Sequence, residues 1–165
     1  MVSSCKNHGD AKFSKEELGW LVYKENDTIR FQNDKGVLSE LLVVYRTDLS
    51  RISKFYPIEA EIEVFNPEAK ESFHIYMLKD VESFKRYLRV ADVYRPFDLI
   101  QPLDTITIND KTYQDVYVFE EDTSEIEEGV FKVFFSRTDG IIKYVMKNLD
   151  TYTFVNDKEP SNLAL

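Results

Sequence analysis

The sequence lacks the residues that several kinds of site require. One cysteine among 165 residues excludes an intrachain disulfide and a zinc site built on cysteines, and two histidines argue against a His/Cys metal cluster. Glycine is scarce, with five residues, and no phosphate-binding loop, serine elbow or metalloprotease motif is present. We therefore expect no cofactor, no metal site and no enzyme activity.

Basic charge is scarce as well. The chain has 21 Lys and Arg against 30 Asp and Glu, which gives a formal net charge of −9. A chain of this balance offers no basic face to displace counterions from nucleic acid or to dock on anionic lipid. No run of about twenty apolar residues is present, so we expect no transmembrane span.

Aromatic residues are abundant, and they indicate one folded domain. Twelve Phe and ten Tyr argue against disorder, and 165 residues suffice to bury a sizeable core. The C-terminal region alternates apolar and polar residues with period two, as strands with one buried face do. It predicts strands at 113–119, 130–135, 141–146 and 152–155, with Ile142 and Tyr144 on one face. A tight turn at 137–140 predicts a hairpin.

The preceding region predicts further strands at 28–32, 37–46, 58–65, 73–78 and 105–108, with a hairpin turn at 33–36. In 58–65 the apolar residues alternate with Glu59, Glu61 and Glu63, so this strand has one inner and one outer face.

Two segments predict short helices. Ser14 and Glu17 have the spacing of a capping box, so a helix is expected from residue 15 to about Trp20, with Trp20 holding the segment over the sheet. In 80–89 apolar residues recur at helical spacing, with acids first and bases last, which favours a second helix. Two prolines make 94–102 an irregular crossover.

These elements predict a mainly β fold. An antiparallel meander of about 8–10 strands has to cover its apolar face by packing on itself, as a sandwich or a curled open barrel. One or two short helices complete it. We expect a flexible tether at 1–12, a single β-rich domain at 13–155 and a frayed tail at 156–165.

Candidate polar chemistry is sparse. His74 is the histidine inside the expected domain and is either a general base or a strand residue on the solvent face. The three glutamates of 58–65 suit a solvated strand face. The acidic segment 120–128 has oxygen ligands for calcium but not the order of an EF-hand loop, and is expected to lie in solvent.

The aromatic stripes are either core or the lining of a cleft for a lipid or another apolar ligand. Lys132 and Lys143, with apolar neighbours on the same face, would also suit a protein partner. The residues expected to line such a cleft are Tyr113, Tyr117, Phe131, Phe135, Tyr144 and Phe154.

The N-terminus Val2-Ser3-Ser4-Cys5 resembles the lipobox of bacterial lipoproteins. In that family a signal peptide is cut before the cysteine, which then carries the lipid. The resemblance implies a signal peptide upstream of Met1, lipid attachment at Cys5 and an outer-membrane anchor facing the periplasm or the cell exterior. The alternative is a cytosolic protein with an exposed N-terminal thiol.

The C-terminal pattern, with Tyr113, Val116 and Tyr117 followed by Gly-Ile-Ile-Lys-Tyr at 140–144, resembles small Bacteroidetes-type cell-envelope lipoproteins of unknown function. The resemblance implies a cell-envelope location and a β fold. The leading hypothesis is a non-enzymatic, membrane-anchored envelope domain that binds a protein, glycan or lipid. The alternative is a carrier with an apolar cavity inside a curled sheet, and an enzyme is a more distant third.

Overall fold

The computed structural model describes residues 12–47, 57–69, 71–90, 93–121, 124 and 129–155. These residues contain helix α1, Lys15–Leu18, a short 3-10 helix, Phe97–Leu99, and eleven strands. The strands are β1 Thr28–Asn33, β2 Leu38–Tyr45, β3 Ile58–Phe65, β4 Ser72–Lys79, β5 Phe84–Val90, β6 Val93–Pro96, β7 Leu103–Ile108, β8 Lys111–Glu120, β9 Val130–Ser136, β10 Gly140–Met146 and β11 Thr151–Phe154.

All eleven strands belong to one antiparallel sheet with the order β6-β5-β4-β3-β2-β1-β11-β10-β9-β8-β7. The chain runs as a meander except that β1 pairs with β11, which joins the first strands to the last. The mainly β prediction is confirmed, with one strand more than expected. Of the two architectures predicted, the curled open barrel is observed, because a single sheet curls over its own apolar face.

Alternation along the strands produces this buried face. In β3, Ala60, Ile62 and Val64 are fully buried, whereas the glutamates between them face outward. The register places Ala60 opposite Met77 and Ile62 opposite Ile75, so apolar pairs meet on the inner face. Such cross-strand pairs are the unit that stabilises a sheet.

The two edge strands follow one another in the chain. The connection from β6 to β7 passes through the 3-10 helix, and its Phe97 is almost fully buried. The Phe97 ring lies 5.1 Å from that of Tyr117 and 5.2 Å from that of Phe135, centroid to centroid. Arg95 of β6 also donates to both carboxylate oxygens of Glu121, at 2.6 and 2.8 Å. These contacts hold the two ends of the curled sheet together.

The β7–β8 hairpin covers part of the outer face. Asn109 at its tip donates to Thr153 of β11 at 3.3 Å, and Lys111 pairs with Asp139 at 2.6 Å. The hairpin therefore lies over β10, and a small second core fills the space beneath it. That core consists of Tyr113, Val116 and Ile142, with Ile106, Ile108 and Phe134 against it.

The N-terminal segment covers the opposite, concave side. The capping box is confirmed, since the Glu17 amide donates to Ser14 Oγ at 3.2 Å and the Ser14 amide donates to Glu17 Oε2 at 2.6 Å. Further along, the backbone N–H of Ile141, at the start of β10, donates to the hydroxyl oxygen of Tyr23. Helix α1 has four residues, and no helix in the described part of the chain is long and apolar enough to cross a membrane.

The predicted helix at 80–89 is wrong, because this segment forms strand β5. Its residues pair with β4 from Phe84 opposite Lys79 to Val90 opposite Phe73. Leu88 and Val90 are buried, and Phe84 packs against the core, which is the period of a strand. Apolar residues four apart fit both periods, and the neighbouring strand decides between them.

Two finer predictions also differ from the structure. The segment 94–102 is only partly irregular, since residues 93–96 form edge strand β6, where Pro96 is tolerated at the end. A register shift between Ile141 and Lys143 places Ile142 in the second core and Tyr144 in the main one, so the two do not share a face. The tether before residue 12, Cys5, the tail 156–165 and most of 120–128 lie outside the described residues.

Candidate functional site

A cleft of about 300 Å³ lies where the N-terminal segment meets the sheet. Its volume is at the lower end of the range for small-molecule sites. We name it the Trp20 cleft, and its lining residues are Ser14, Glu16, Glu17, Trp20, Phe84, Arg86 and Arg137.

The indole of Trp20 forms the base of this cleft. Trp20 is 3% exposed and packs on Phe97 at 4.8 Å and on Tyr117 at 5.7 Å between ring centroids. Helix α1 ends two residues before it, with Gly19 as its C-cap. The only tryptophan of the chain is therefore fixed by packing and reports directly on the cleft.

Two arginines contact this indole from different elements. Arg86 of β5 has its guanidinium carbon 4.3 Å from the Trp20 ring centroid, and Arg137 of the β9–β10 turn has its own at 5.0 Å. Attraction between a cation and an aromatic ring accounts for each contact. The arrangement also brings two positive charges to one side chain.

The turn that carries Arg137 is held by other groups. Asp139 accepts from Lys111 at 2.6 Å and from Thr138 at 2.7 Å. Burial alone would raise the pKa of Asp139, but these hydrogen bonds outweigh it and lower the pKa. The Asp139 carboxylate is thus engaged away from Arg137, and the described residues give Arg137 no ion pair.

Arg86 is only partly satisfied. It pairs with Asp98, whose side chain is 50% exposed, but its buried Nε has no hydrogen-bond acceptor among the described residues. Burial lowers the pKa of Arg86, and the charge of Arg137 acts in the same direction. A guanidinium nevertheless stays protonated in proteins, so the cleft holds two permanent positive charges.

The two acidic residues that line the cleft, Glu16 and Glu17, differ in how fully they are hydrogen-bonded. Glu17 accepts from Lys79 Nζ at 2.8 Å as well as from the Ser14 amide. Burial by itself would raise the pKa of Glu17, but the hydrogen bonds from Lys79 and Ser14 outweigh it and lower the pKa. Glu16 is exposed and has no ion pair in the described part of the chain. Glu17 is a structural group, and Glu16 lines the rim.

None of the six aromatic residues predicted to line a cleft lines the Trp20 cleft. Phe135 and Tyr144 are fully buried in the main core, and Tyr117 and Phe154 pack against it. Tyr113 belongs to the second core under the β7–β8 hairpin. Phe131 is half-buried on β9. These positions support a packed interior more than an internal cavity.

His74 faces outward from β4 beside two acidic side chains and a hydroxyl. Its Nδ1 lies 2.7 Å from Glu61 Oε1, and its Nε2 lies 3.1 Å from Ser72 Oγ. Hydroxyl, imidazole and carboxylate thus stand in the order of a hydrolytic triad. The backbone around His74 is paired with β3 on one side and β5 on the other, so its amides are not free to stabilise an oxyanion. We interpret this array as a cross-strand polar network.

Sequence reasoning missed the residues of the cleft. Arg86 lay inside the wrongly predicted helix, and Arg137 was read only as part of a turn. The available signal was Trp20, the single tryptophan, directly after a capped helix. No group of three or more His, Cys, Asp or Glu side chains among the described residues is arranged to hold a metal ion.

Comparisons of this chain with protein-family models, with curated proteins and with solved structures gave no match. The fold and the site define a class in physical terms: a curled antiparallel sheet with a cleft lined by tryptophan and arginine at one mouth. Function is therefore argued from the geometry of the Trp20 cleft and from the sequence patterns at the two ends of the chain.

Proposed function

We propose that this chain is a non-enzymatic binding domain of the bacterial cell envelope, anchored to the outer membrane through a lipidated Cys5, with its ligand site in the Trp20 cleft. The observation that carries the binding role is the cleft, where two arginines meet one buried indole and, among the described residues, only Arg86 has an acidic partner. The buried Arg86 Nε without an acceptor among the described residues costs stability, and such local costs are typical of functional sites.

The envelope location is supported by sequence. Val2-Ser3-Ser4-Cys5 has the form of a lipobox, and the strands at 113–144 carry the pattern of small envelope lipoproteins. The chain between Cys5 and Ser14 can span at most about 30 Å when fully extended. A lipid on Cys5 would therefore hold the Trp20 cleft close to the membrane surface.

The location is tested by the mass of the mature N-terminus, from protein expressed in its native cell with the complete upstream reading frame. A cleaved chain that begins at an acylated Cys5 is expected. An unmodified Met1 or Val2 would remove the envelope part of the proposal and leave the binding role to be judged separately.

The binding role is tested with a library of small neutral and charged fragments. Because the chain has one tryptophan, its indole N–H gives a single resonance in two-dimensional NMR spectra. Some fragments are expected to shift this resonance together with amides of the cleft. A library in which every binder acts elsewhere on the protein would contradict the assignment of the site.

A further inference from the structure

In the Trp20 cleft the acidic Glu17 has hydrogen-bonding partners, whereas the two arginines are incompletely paired with the described residues. This difference indicates the class of ligand. Resting on the binding role proposed above, we infer that the ligand of the Trp20 cleft carries an oxyanion group, a carboxylate or a phosphate, that binds Arg86 and Arg137. The remainder of the ligand is a small apolar or planar body.

The first argument is the supply of donors. The buried Nε of Arg86 has no acceptor among the described residues, and the Arg137 side chain contacts Trp20 without an ion pair there. A guanidinium presents its N–H groups as a planar fork that matches the two oxygens of a carboxylate or phosphate. An oxyanion in the cleft could therefore accept from the guanidinium groups of Arg86 and Arg137, which both line it.

The second argument is the repulsion between the two arginines. Both guanidinium groups approach one indole, and Arg137 opposes the protonation of Arg86 electrostatically. A negative group between them would turn an unfavourable contact into two favourable ones. A cationic ligand would add a third positive charge to this side of the cleft.

The third argument concerns the carboxylates that could compete. Glu17 is held by Lys79 and by the Ser14 amide, and Asp98 is already paired with Arg86. Glu16 remains as the acid of the cleft that has no ion pair with the described residues, and its negative charge disfavours an anion. Its removal should therefore strengthen anion binding, and the same change would weaken the binding of a cation.

The size and lining of the cleft limit the rest of the ligand. A volume of about 300 Å³ admits a single ring or a short chain beside the charged group. Phe84 and Trp20 are the apolar side chains that line the cleft. The oxyanion could belong to a free organic acid or to a phosphate ester such as a lipid headgroup, and the two are separated by experiment.

The test compares benzoate, its neutral isostere benzamide, and glycerol 3-phosphate as a headgroup fragment, each titrated against the full chain. The Trp20 indole resonance gives the dissociation constants. Benzoate is expected to bind at least about tenfold more tightly than benzamide, because charge-assisted bonds to the arginines are lost in the amide. A preference for glycerol 3-phosphate over benzoate would assign the group to a phosphate ester, and the reverse to a free carboxylic acid.

Four variants make the test specific. Arg86→Gln and Arg137→Gln should each weaken the binding of the preferred anion about tenfold, whereas Glu16→Gln should strengthen it about twofold. Arg46→Gln, at an arginine that pairs with Glu63 on the outer face of the sheet and does not line the cleft, is the matched control and should leave binding unchanged. Arg137 is exposed, so its variant remains informative if Arg86→Gln fails to fold.

Two results would overturn the inference, and they differ in what else they remove. Equal binding of benzamide and benzoate at Trp20 would leave the cleft as a binding site but reject the oxyanion. No binding of any of the three probes would also reject the oxyanion, and the fragment library would then decide whether the binding role survives.

Discussion

Charged side chains that are partly or fully buried lie near both ends of strand β4. The two ends differ in how completely those side chains are hydrogen-bonded. Glu71, directly before β4, is 5% exposed and accepts from Ser39 at 3.0 Å, from Asn66 at 2.9 Å and from Tyr144 at 3.4 Å. At the other end of β4, Lys79 pairs with Glu17, which lines the Trp20 cleft. There Arg86 keeps an Nε without an acceptor in the described residues.

The difference distinguishes a charged group that stabilises the fold from one that is a candidate for binding a ligand. A buried carboxylate with three donors from its own fold needs nothing further, and its network specifies how β2, β4 and β10 meet. The incomplete pairing of Arg86 costs stability in the free protein, and the ligand proposed above would account for its persistence. The predictions below test whether the Glu71 end is structural and the Trp20 end is not.

The largest effect is expected at the Glu71 end. Glu71→Ala would leave the donors of Ser39, Asn66 and Tyr144 buried without an acceptor, at a cost of about 3 kcal/mol in the free energy of unfolding. Urea unfolding with an unchanged slope would measure it. Glu68→Ala, at an exposed position in the same turn, is the control and should cost less than about 0.5 kcal/mol. A Glu71→Ala protein as stable as this control would break the comparison.

The next effect concerns the backbone that carries Arg137. Gly140 has a φ of 80°, and a Cβ there would overlap the ring of Tyr23. Gly140→Ala should therefore cost about 2 kcal/mol through backbone strain and overpacking together. Gly36 has almost the same φ, 79°, with Gln32 Nε2 at 3.9 Å as the nearest atom. Gly36→Ala is thus the matched control and should lose only the backbone part, about 1 kcal/mol.

Equal losses in these two variants would show that the contact between Tyr23 and Gly140 does not hold the turn. This contact would then not fix the turn that carries Arg137, and the contrast between a rigid frame and incompletely paired arginines in the described residues would fail. Thermal or urea unfolding of the two variants under identical conditions supplies the measurement.

A smaller effect on stability is expected when the pH is lowered, and it arises from Glu17 at the Trp20 end of β4. The pKa of Glu17 is lowered below its ordinary value of 4.5, so the fold gains stability that is present above that value and lost as the pH falls through the lowered pKa. Glu17→Gln should be less stable than the wild type at neutral pH, and the difference should shrink below about pH 4. Urea unfolding across this range would measure it, with Glu16→Gln as control. A difference independent of pH would contradict the Lys79–Glu17 pair.

The smallest effect on stability is expected for Arg137→Gln. The exposed Arg137 side chain contacts Trp20 and repels Arg86, so the two consequences of removing it oppose each other. The free energy of unfolding should change by less than about 0.5 kcal/mol. A loss above about 1.5 kcal/mol would mean that Arg137 is a structural residue like Glu71. Unfolding curves of this variant beside Glu71→Ala give the sharpest contrast of the two ends.

The fold was largely predictable where one face of a strand is strictly apolar. The alternation of apolar residues with glutamates in 58–65 predicts a strand with one buried face, and the observed β3 confirms it. The alternation fails in β5 because Arg86, an inward residue, is charged. Phe84 and Leu88 then fit a helix as well as a strand, and only pairing with β4 resolves the choice.

The candidate site was not predictable for the same reason. An arginine on an inner strand face is read as a solvent residue until the partner that covers it is known, and here that partner is Trp20, from a distant part of the sequence. The register shift after Ile141 is likewise a property of the strand pair and not of the local pattern. The core is therefore easier to predict from the sequence than the lining of the Trp20 cleft.

The most direct test is a map of amide and indole chemical shifts across the whole protein as benzoate is added. Shifts should concentrate at Trp20, Arg86 and Arg137 and leave Glu71 and Tyr144 unchanged. That result would establish the incompletely paired end as the binding end. Shifts centred on the Glu71 network, or spread without a centre, would contradict the account.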